Sequence, residues 1–438
     1  MSRDQNPRSR NRPSEGYTRR EFLRIASAAP LALAHARAVQ AASLGFKPAA
    51  FDATHNSVQI WLKGEGAGRV RVDFTSEANA TEMSSGPSAD LTSNTDFCAT
   101  IPLTQLVAGK TWTYRVVEAE SGKPLSQFGR FKTAPSNSVP FTFVFSADMD
   151  ESYQPFKLFD VIDSKQPDFF LHLGDTIYAD LRGQRPFAPS VAHYRNKHVA
   201  NRKDPHLQNF FSRHVTYAIW DDHETENNCH SLNPFMDNAF QVFKEFWPCT
   251  GVVPNALYRQ FNWAGVDFFI LDTRRFRTPQ ATADGPEKTM LGAAQKSWLK
   301  DALKASTAPF KFVVTSVPFQ GGGEDTWGSY PTERSEIASF IRAEKIAGII
   351  FLSGDYHLAR DWSNPKTGTR EYMAGPIASF THYKNNPEAR ARYQKAGTFH
   401  YGDGYNFGLW HVDPAGGKAR IEFIGAGGET MFQTEVTV

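Results

Sequence analysis

The sequence predicts an α/β domain (α+β where some strands pair antiparallel) preceded by a smaller all-β domain. Three patterns within its 438 residues carry that expectation. After residue 140, short apolar runs of strand length each end in acidic, His or Arg side chains. Those runs alternate with segments whose apolar residues recur at helical spacing, which is the signature of an α/β arrangement. Between residues 50 and 133, apolar and polar residues alternate with a period of two and turn residues break the runs, as in half-buried strands.

The bulk numbers set bounds. The chain is 40% hydrophobic and 21% charged, ordinary for a globular protein and long enough for two or three domains. Lys+Arg number 48 against 46 Asp+Glu, a net charge of +2, so there is no basic excess of the kind a nucleic-acid-binding surface needs. The 35 phenylalanines lie mostly in the apolar runs, where a core would use them. Cys98, Cys229 and Cys249 cannot build a disulfide framework; at most one pair could form, Cys229 with Cys249.

Residues 1–42 read as a targeting segment. A polar, basic start leads to Thr18-Arg19-Arg20-Glu21-Phe22-Leu23-Arg24, which resembles the twin-arginine export signal. The Ala-rich run Ile25–Ala34 follows, then His35 and Arg37 interrupt it. It is too short and too polar to leave a stable membrane anchor in the mature chain. Small-x-small sites at Ala36–Ala38 and Val39–Ala41 place cleavage near residues 38–42. The resemblance implies the twin-arginine machinery as a partner and a periplasmic or secreted location. That route carries folded proteins, often with metal already loaded.

Residues 43–134 form the expected β-sandwich domain. Ser57–Leu62, Arg69–Phe74, Thr111–Val117 and Phe128–Lys132 are its strands, and no acid or His cluster lies among them. The polar stretch Thr133–Val139 is a linker. The larger domain spans 135–438, with helices expected over Tyr153–Ser164, Ala294–Ala305 and Glu333–Ala343. Gly183–Pro189 and Gly321–Ser329 read as surface loops, the second as a substrate-rim loop and not a phosphate cradle, since its glycines miss the P-loop spacing. Thr398–Val438 alternates and reads as closing strands, not a lid helix.

The strand ends hold the chemistry. Phe141–Phe145 leads to Asp148 and Asp150. Asp168–Leu173 leads through Gly174 to Asp175 and Tyr178. Val215–Trp220 leads to Asp221, Asp222, His223 and Asn228. Val266–Leu271 leads to Asp272 and Arg274. Ile346–Leu352 leads through Gly354 to Asp355 and His357. Buried strands that end this way deliver ligands to the carboxyl edge of a sheet. If these ends converge, several carboxylates share one pocket, and burial of unpaired carboxylates is costly. Two cations with a bridging carboxylate would neutralise them, and an oxygen-rich set suits hard ions. Such a pair binds phosphate oxygens and acidifies bound water, while a nearby His can protonate a leaving oxygen.

Bland alternatives stand beside these roles. Asp175 could cap a turn, Tyr178 could be a core or rim tyrosine, and His223 could simply bond its acidic neighbours. Arg274 is equally a phosphate clamp or half of a structural ion pair. Asp355 and His357 alternate and would face one side of a strand end. His172 sits inside an apolar run and reads as a satisfied core histidine, whereas His193, His198, His206 and His214 lie in a polar stretch and read as surface or rim.

These residues resemble a known family. The export signal, the small β domain, Gly174-Asp175-Thr176-Ile177-Tyr178, Trp220-Asp221-Asp222-His223-Glu224 with Asn227-Asn228, and Leu271-Asp272-Thr273-Arg274 are similar to PhoD-type alkaline phosphatases. So are Thr289-Met290-Leu291-Gly292 with Gln295 and Trp298-Leu299, and Ser353-Gly354-Asp355-Tyr356-His357. The resemblance runs over nearly the whole chain in the expected order. It implies a calcineurin-like metallophosphoesterase sandwich behind a fibronectin-III-like domain, acting on small phosphate esters with Fe3+ and Ca2+. Carried over by position, Asp175 bridges two metals and Tyr178 binds iron. Asp221 or Asp222 with Asn228 holds the second metal, and Asp355 and His357 complete the cluster.

The chain departs from that pattern at one point. PhoD-type enzymes place a metal-binding Cys after the first catalytic strand, where this chain has Ser146-Ala147-Asp148. A hard oxygen replaces a thiolate, with Asp150 in the third position, and this makes Mn2+ a plausible occupant. Ordinary metallophosphoesterases carry a His after a later strand, and Phe312–Phe319 has none. The implied function is an exported phosphatase in which a metal-bound hydroxide attacks phosphorus while His223 assists the leaving group and Arg274 contacts phosphate. Two rivals are a phosphodiesterase or phospholipase-D-like activity at the same site, and a silent protein that captures phosphate ligands through its metals.

Overall fold

The computed structural model describes residues 42–77, 82–181, 187–364, 368–396 and 398–438. The twin-arginine segment before residue 42 and residues 182–186, which take in the first part of the loop expected at Gly183–Pro189, lie outside the described residues.

The N-terminal strands are β1 (Ala49–Phe51), β2 (Val58–Lys63), β3 (Gly68–Ser76), β4 (Ser84–Leu91), β5 (Cys98–Leu103), β6 (Thr111–Glu118) and β7 (Gly129–Lys132). β4-β3-β6-β7 make one sheet, and β1, β2 and β5 make the other half of a two-sheet packing. Period-two reading missed β4 and β5, which carry Pro87 and Pro102. Both strands are sheet edges, where a missing N–H costs no ladder bond.

The larger part alternates strand and helix. Its first half holds β8 (Phe141–Ser146), α1 (Leu158–Ser164), β9 (Phe169–His172), α2 (Val191–Arg202), α3 (Pro205–Phe211), β10 (Val215–Ala218) and α4 (Met236–Phe246). Then come β11 (Arg259–Trp263), β12 (Val266–Ile270), α5 (Gly292–Ala305), β13 (Lys311–Val314), α6 (Pro331–Ala343) and β14 (Ile349–Ser353). The chain ends with β15 (Ala359–Asp361), β16 (Glu371–Met373), α7 (His382–Asn385), α8 (Pro387–Ala396), β17 (His400–Tyr401), β18 (Asn406–Asp413), β19 (Lys418–Gly425) and β20 (Thr430–Thr437). The C-terminal strands extend the first sheet beside β8, and two short helices not foreseen in the sequence precede them.

Two sheets make the central sandwich. One runs β20-β19-β18-β8-β9-β10-β1-β2-β5, so the N-terminal strands are hydrogen-bonded into it through the parallel pair Phe51 and Thr216; the other runs β11-β12-β13-β14-β16-β15-β17. Phenylalanines fill the space between them. Phe143 on β8 meets Phe268 on β12 and Phe312 on β13 edge-on, with ring centroids 5.2 and 5.1 Å apart. Phe169 stacks on Phe143, while its neighbour Phe170 points the other way to Phe159 and Phe210 in the helix layer. Strand parity therefore sends His172 to the Phe170 side, against Trp247 at 5.5 Å and away from the strand ends. It is a core residue, yet neither ring nitrogen has a hydrogen-bond partner, so it is not the satisfied histidine expected.

One other expectation is corrected, and the cysteine pairing left open by the sequence is answered. The polar stretch around residues 191–214 folds into α2 and α3; helical stagger turns His198 inward, and His214 lies beyond the end of α3, just before β10. His198 stacks on Phe246 and His214 on Phe210, both buried, while His193 and His206 stay half-exposed. Cys229 and Cys249 are free buried thiols and not a disulfide, and Cys249 Sγ instead faces the Ala218 carbonyl at 3.5 Å.

Candidate metal centre

β8, β9 and β10 run parallel in one sheet and β12, β13 and β14 in the other, so their carboxyl ends present side chains from both sheets. The chain leaves these strands through tight turns. Asp148, Asp175, Asn228, Asp355 and His357 all have positive φ, between 52° and 71°. Non-glycine residues rarely adopt that region, and they do so mainly where the surroundings enforce it for function. This corrects the reading of Asp355 and His357 as alternating strand residues: β14 ends at Ser353, and the pair lies in the turn beyond it. Gly174 is required twice over. Its φ is 109°, and a Cβ there would stand 2.5 Å from the Cβ of Asp221.

The turns bring most of the expected donors together. Asp148, Asp175 and His357 form one group, Asp175, Asp222 and His223 a second, and Asp175, Asp221, Asp222 and Asp355 a third, with donor atoms in each within 4.8 Å of one another. Asp175 belongs to all three. The hydroxyl of Tyr178, itself buried, lies 2.9 Å from Nε2 of His357. Asn228 donates its backbone amide to Oδ2 of Asp222 at 2.6 Å. Asp150 is buried but stands outside the three groups. Its Oδ1 accepts from the amide and hydroxyl of Ser152 at 2.9 and 2.8 Å and caps the turn Glu151–Tyr153.

The electrostatics ask for positive charge. Both oxygens of Asp148, Oδ2 of Asp175, Oδ2 of Asp221 and Oδ1 of Asp222 are buried without a hydrogen-bond partner among the described residues. Burial, followed by repulsion from Asp221, pushes the Asp148 carboxyl well above the usual range; burial, then Asp222 and Asp221, does the same to Asp175. Asp221 rises to about 6 through burial, with Arg274 opposing. Asp222 is lowered: burial works against it, but Arg274, His223 and the Asn228 amide prevail. The Nδ1 of His357 meets the Phe380 carbonyl at 2.5 Å and must donate to it, which leaves the Nε2 lone pair facing the Tyr178 hydroxyl at 2.9 Å and Oδ1 of Asp148 at 3.6 Å. Orphaned carboxylate oxygens beside an imidazole lone pair fit divalent or trivalent cations, and the all-oxygen and nitrogen donor set fits hard or borderline ions.

The PhoD-like phosphatase family model matches residues 142–423, a span that includes every one of these donors. The chain belongs to the PhoD-like phosphatase family. Alkaline phosphatase D of Bacillus subtilis (strain 168) is 28% identical over 306 residues, covering 58% of this chain and 52% of that protein, so the chain spans about half the length of this curated relative. A solved structure of PhoD superposes with a TM-score of 0.74 at 21% identity, over 90% of this chain and 89% of the other. A purple acid phosphatase from yellow lupin (Lupinus luteus) seeds superposes with a TM-score of 0.64 at 12% identity, over 89% of this chain and 74% of its own. The fold is the metallophosphoesterase sandwich.

Four supporting residues of this PhoD-like site escaped the sequence reading. Glu224 accepts from the amides of Asp175, Thr176 and Asp221 at 3.3, 2.5 and 2.8 Å and so ties two strand-end turns together. Asp180 holds Nδ1 of His223. Ser316 donates to Oδ1 of Asp221, and Asp325 pairs with Arg274. Glu224 lies inside the Trp220–Glu224 motif and Asp180 two residues beyond Tyr178, so proximity was a usable signal; Ser316 and Asp325 follow no such motif, and only the fold brings them to Asp221 and Arg274. Arg274 is fully buried and spends Nε on Asp221 and both terminal nitrogens on Asp325, the ion-pair alternative of the sequence reading. Arg275 lies on the Phe240 ring at 4.0 Å and reaches Asp237 and the Asn255 carbonyl.

Proposed function

We propose that this PhoD-like protein is an exported, metal-dependent hydrolase of small phosphate esters with a dinuclear site. The observation that carries the reading is the set of partnerless buried oxygens on Asp148, Asp175, Asp221 and Asp222, which without cations would be a large desolvation cost. Asp175, shared by every donor group, would serve both ions. Asp148, His357 and Tyr178 would hold one ion; Asp221, Asp222 and Asp355, with Asn228, would hold the other. Bound there, two cations would neutralise the carboxylates, polarise the phosphoryl oxygens and acidify a bound water. Fe3+ with Ca2+ follows from the family, and Asp148 in place of a thiolate favours Mn2+ as an alternative.

The protein's own groups then orient and move protons. His223 keeps Nδ1–H on Asp180 and offers Nε2–H to the leaving oxygen. Arg274 holds Asp221 in place and does not clamp phosphate. Export follows the twin-arginine motif, with loss of residues 1–42 leaving 43–134 and 135–438 as the two parts of the mature protein. Replacing Arg19 and Arg20 with Lys should retain the precursor inside the cell.

The engagement of Arg274 and Arg275 by carboxylates favours a second reading. A monoester dianion needs more positive charge than a diester, so a phosphodiesterase is the runner-up. The test is hydrolysis of a nitrophenyl monoester and a bis-nitrophenyl diester, with and without chelator. Monoester preference lost on chelation supports the phosphatase, and diester preference moves the assignment. No turnover of either by metal-loaded protein overturns both.

A further inference from the structure

The glycine-rich loop at residues 321–325 carries a carboxylate that no donor group uses. Asp325 is 9% exposed. It accepts from Nη1 and Nη2 of Arg274 at 3.0 and 2.6 Å, pairs with Arg277, and takes a hydrogen bond from Nε2 of Gln280 at 3.2 Å. A bidentate carboxylate fixes the plane of a guanidinium. With that plane set, Nε–H of Arg274 points at Oδ1 of Asp221 at 2.6 Å. Ser316 donates to the same oxygen. Oδ1 is thereby used twice, and Oδ2 is left as the free donor of Asp221. The loop also touches the opposite wall of the site: a side chain at Gly323 would collide with the hydroxyl of Tyr356, which lies between Asp355 and His357.

Asp325 restrains Arg274 in a second way. Nη2 of Arg274 already lies 3.9 Å from Oδ2 of Asp222. Released from Asp325, the guanidinium could turn onto Asp222 and act as an internal cation in competition with a metal ion. We propose that Asp325 is a positioning residue: through Arg274 it orients the Asp221 carboxylate and sets the affinity of the site for the cation held by Asp175, Asp221, Asp222 and Asp355. This rests on the metal reading above, and it gives the loop a task at the metal site that a substrate rim would not need.

Titration of the ion-free mature protein with Mn2+ by calorimetry tests it, with melting of the ion-free form as a control for folding. Wild type is expected to bind in two phases. Asp325→Asn should weaken one phase by about 10–100-fold, the usual effect of losing a partner behind a ligand, and leave the other within about 2-fold. Hydrolysis by that variant should lose kcat at limiting Mn2+ and regain it at saturation, with KM for the nitrophenyl ester unchanged. Asp325→Glu should recover part of the affinity. Ser316→Ala leaves the Arg274–Asp325 pair intact and should weaken the same phase by less, which keeps the test open if Asp325→Asn does not fold. Unchanged Mn2+ affinity in folded variants, or equal weakening of both phases, overturns the positioning role while the metal site stands. A wild-type protein that takes up no Mn2+ overturns the metal reading itself.

Discussion

Nδ1 of His223 lies 2.6 Å from Oδ1 of Asp180, a buried pair that spans 43 residues of sequence. The other oxygen of Asp180 accepts the Asn227 amide at 2.9 Å, so one carboxylate ties the imidazole to the turn that carries Asn228. Burial opposes charge on His223, but the Asp222 and Asp180 carboxylates outweigh it and raise the imidazole to about 9. In the ion-free protein His223 therefore holds a second proton at neutral pH, and Asp180, which belongs to no donor group, is the partner that keeps supporting that proton when cations are bound.

Asp180→Asn should lower that pKa toward the ordinary histidine value. His223 then loses its proton at a lower pH, and the alkaline limb of the kcat profile moves down. At alkaline pH the loss should approach the ~10²–10⁴-fold typical of a missing general acid. A pH profile of kcat at saturating metal measures it, and an unmoved limb removes His223 from the proton transfer.

The ion-free protein should lose stability as pH rises. The Asp148 and Asp175 carboxyls sit above their unfolded values, and Asp221 sits at about 6 against 3.8. Between those values the folded state binds more protons than the unfolded state, so the slope of stability with pH is negative. His223, raised to about 9 from 6.5, acts in the same direction: its contribution is complete below 6.5 and lost through 9. Below 6.5 the buried His172 and His357, held down at about 3, act in the opposite direction, so the trend is read above that value. Melting of chelated protein at pH 7 and pH 9 should show the higher midpoint at pH 7, with added Mn2+ closing the gap, and a higher midpoint at pH 9 without metal would contradict the buried-charge account.

His172→Leu should stabilise the protein without touching its chemistry. Both ring nitrogens are buried and partnerless, and burial holds the imidazole down at about 3. Removing an unsatisfied buried polar group is worth about 1–3 kcal/mol. Urea denaturation measures the gain, and loss of hydrolysis in a folded variant would show that His172 reaches the site after all.

Arg202→Ala should cost about 2–4 kcal/mol, from lost cation–π contact and the cavity left behind. The guanidinium lies 5.5, 4.6, 4.9 and 4.4 Å from the rings of Phe51, Trp61, Phe211 and Trp247, and its Nη2 donates to the Phe246 carbonyl at 2.8 Å. Two of those rings come from β1 and β2 and two from the larger part, so the arginine fastens one to the other. Denaturation midpoints of wild type and variant decide it.

Much of the site was legible because strands and their endings are local. Phe143 and Phe169 face the core, and Asp148 and Asp175 follow two strand ends, because a period of two and a terminating turn are written in consecutive residues. The helices over 292–305 and 331–343 announced themselves through apolar spacing in the same way. α2 did not, since His198 and Asn201 stand on its buried face and weaken the apolar signal; α3 spans seven residues, too few for Leu207, Phe210 and Phe211 to display a helical period.

What consecutive residues cannot say is which partner a charged group will meet. Asp148 and Asp150 stand two apart after one strand, yet one turns both oxygens into the donor group and the other caps a turn. Arg274 could have met phosphate; Asp325, 51 residues on, meets it instead. The sequence by itself determined the fold class, the strand ends and the family of donors, because those depend on periodicity and residue type. The tertiary structure alone decided which carboxylates stay unpaired, because that depends on what other strands and loops bring within about 3 Å inside a water-poor interior, where each hydrogen bond or charge counts most.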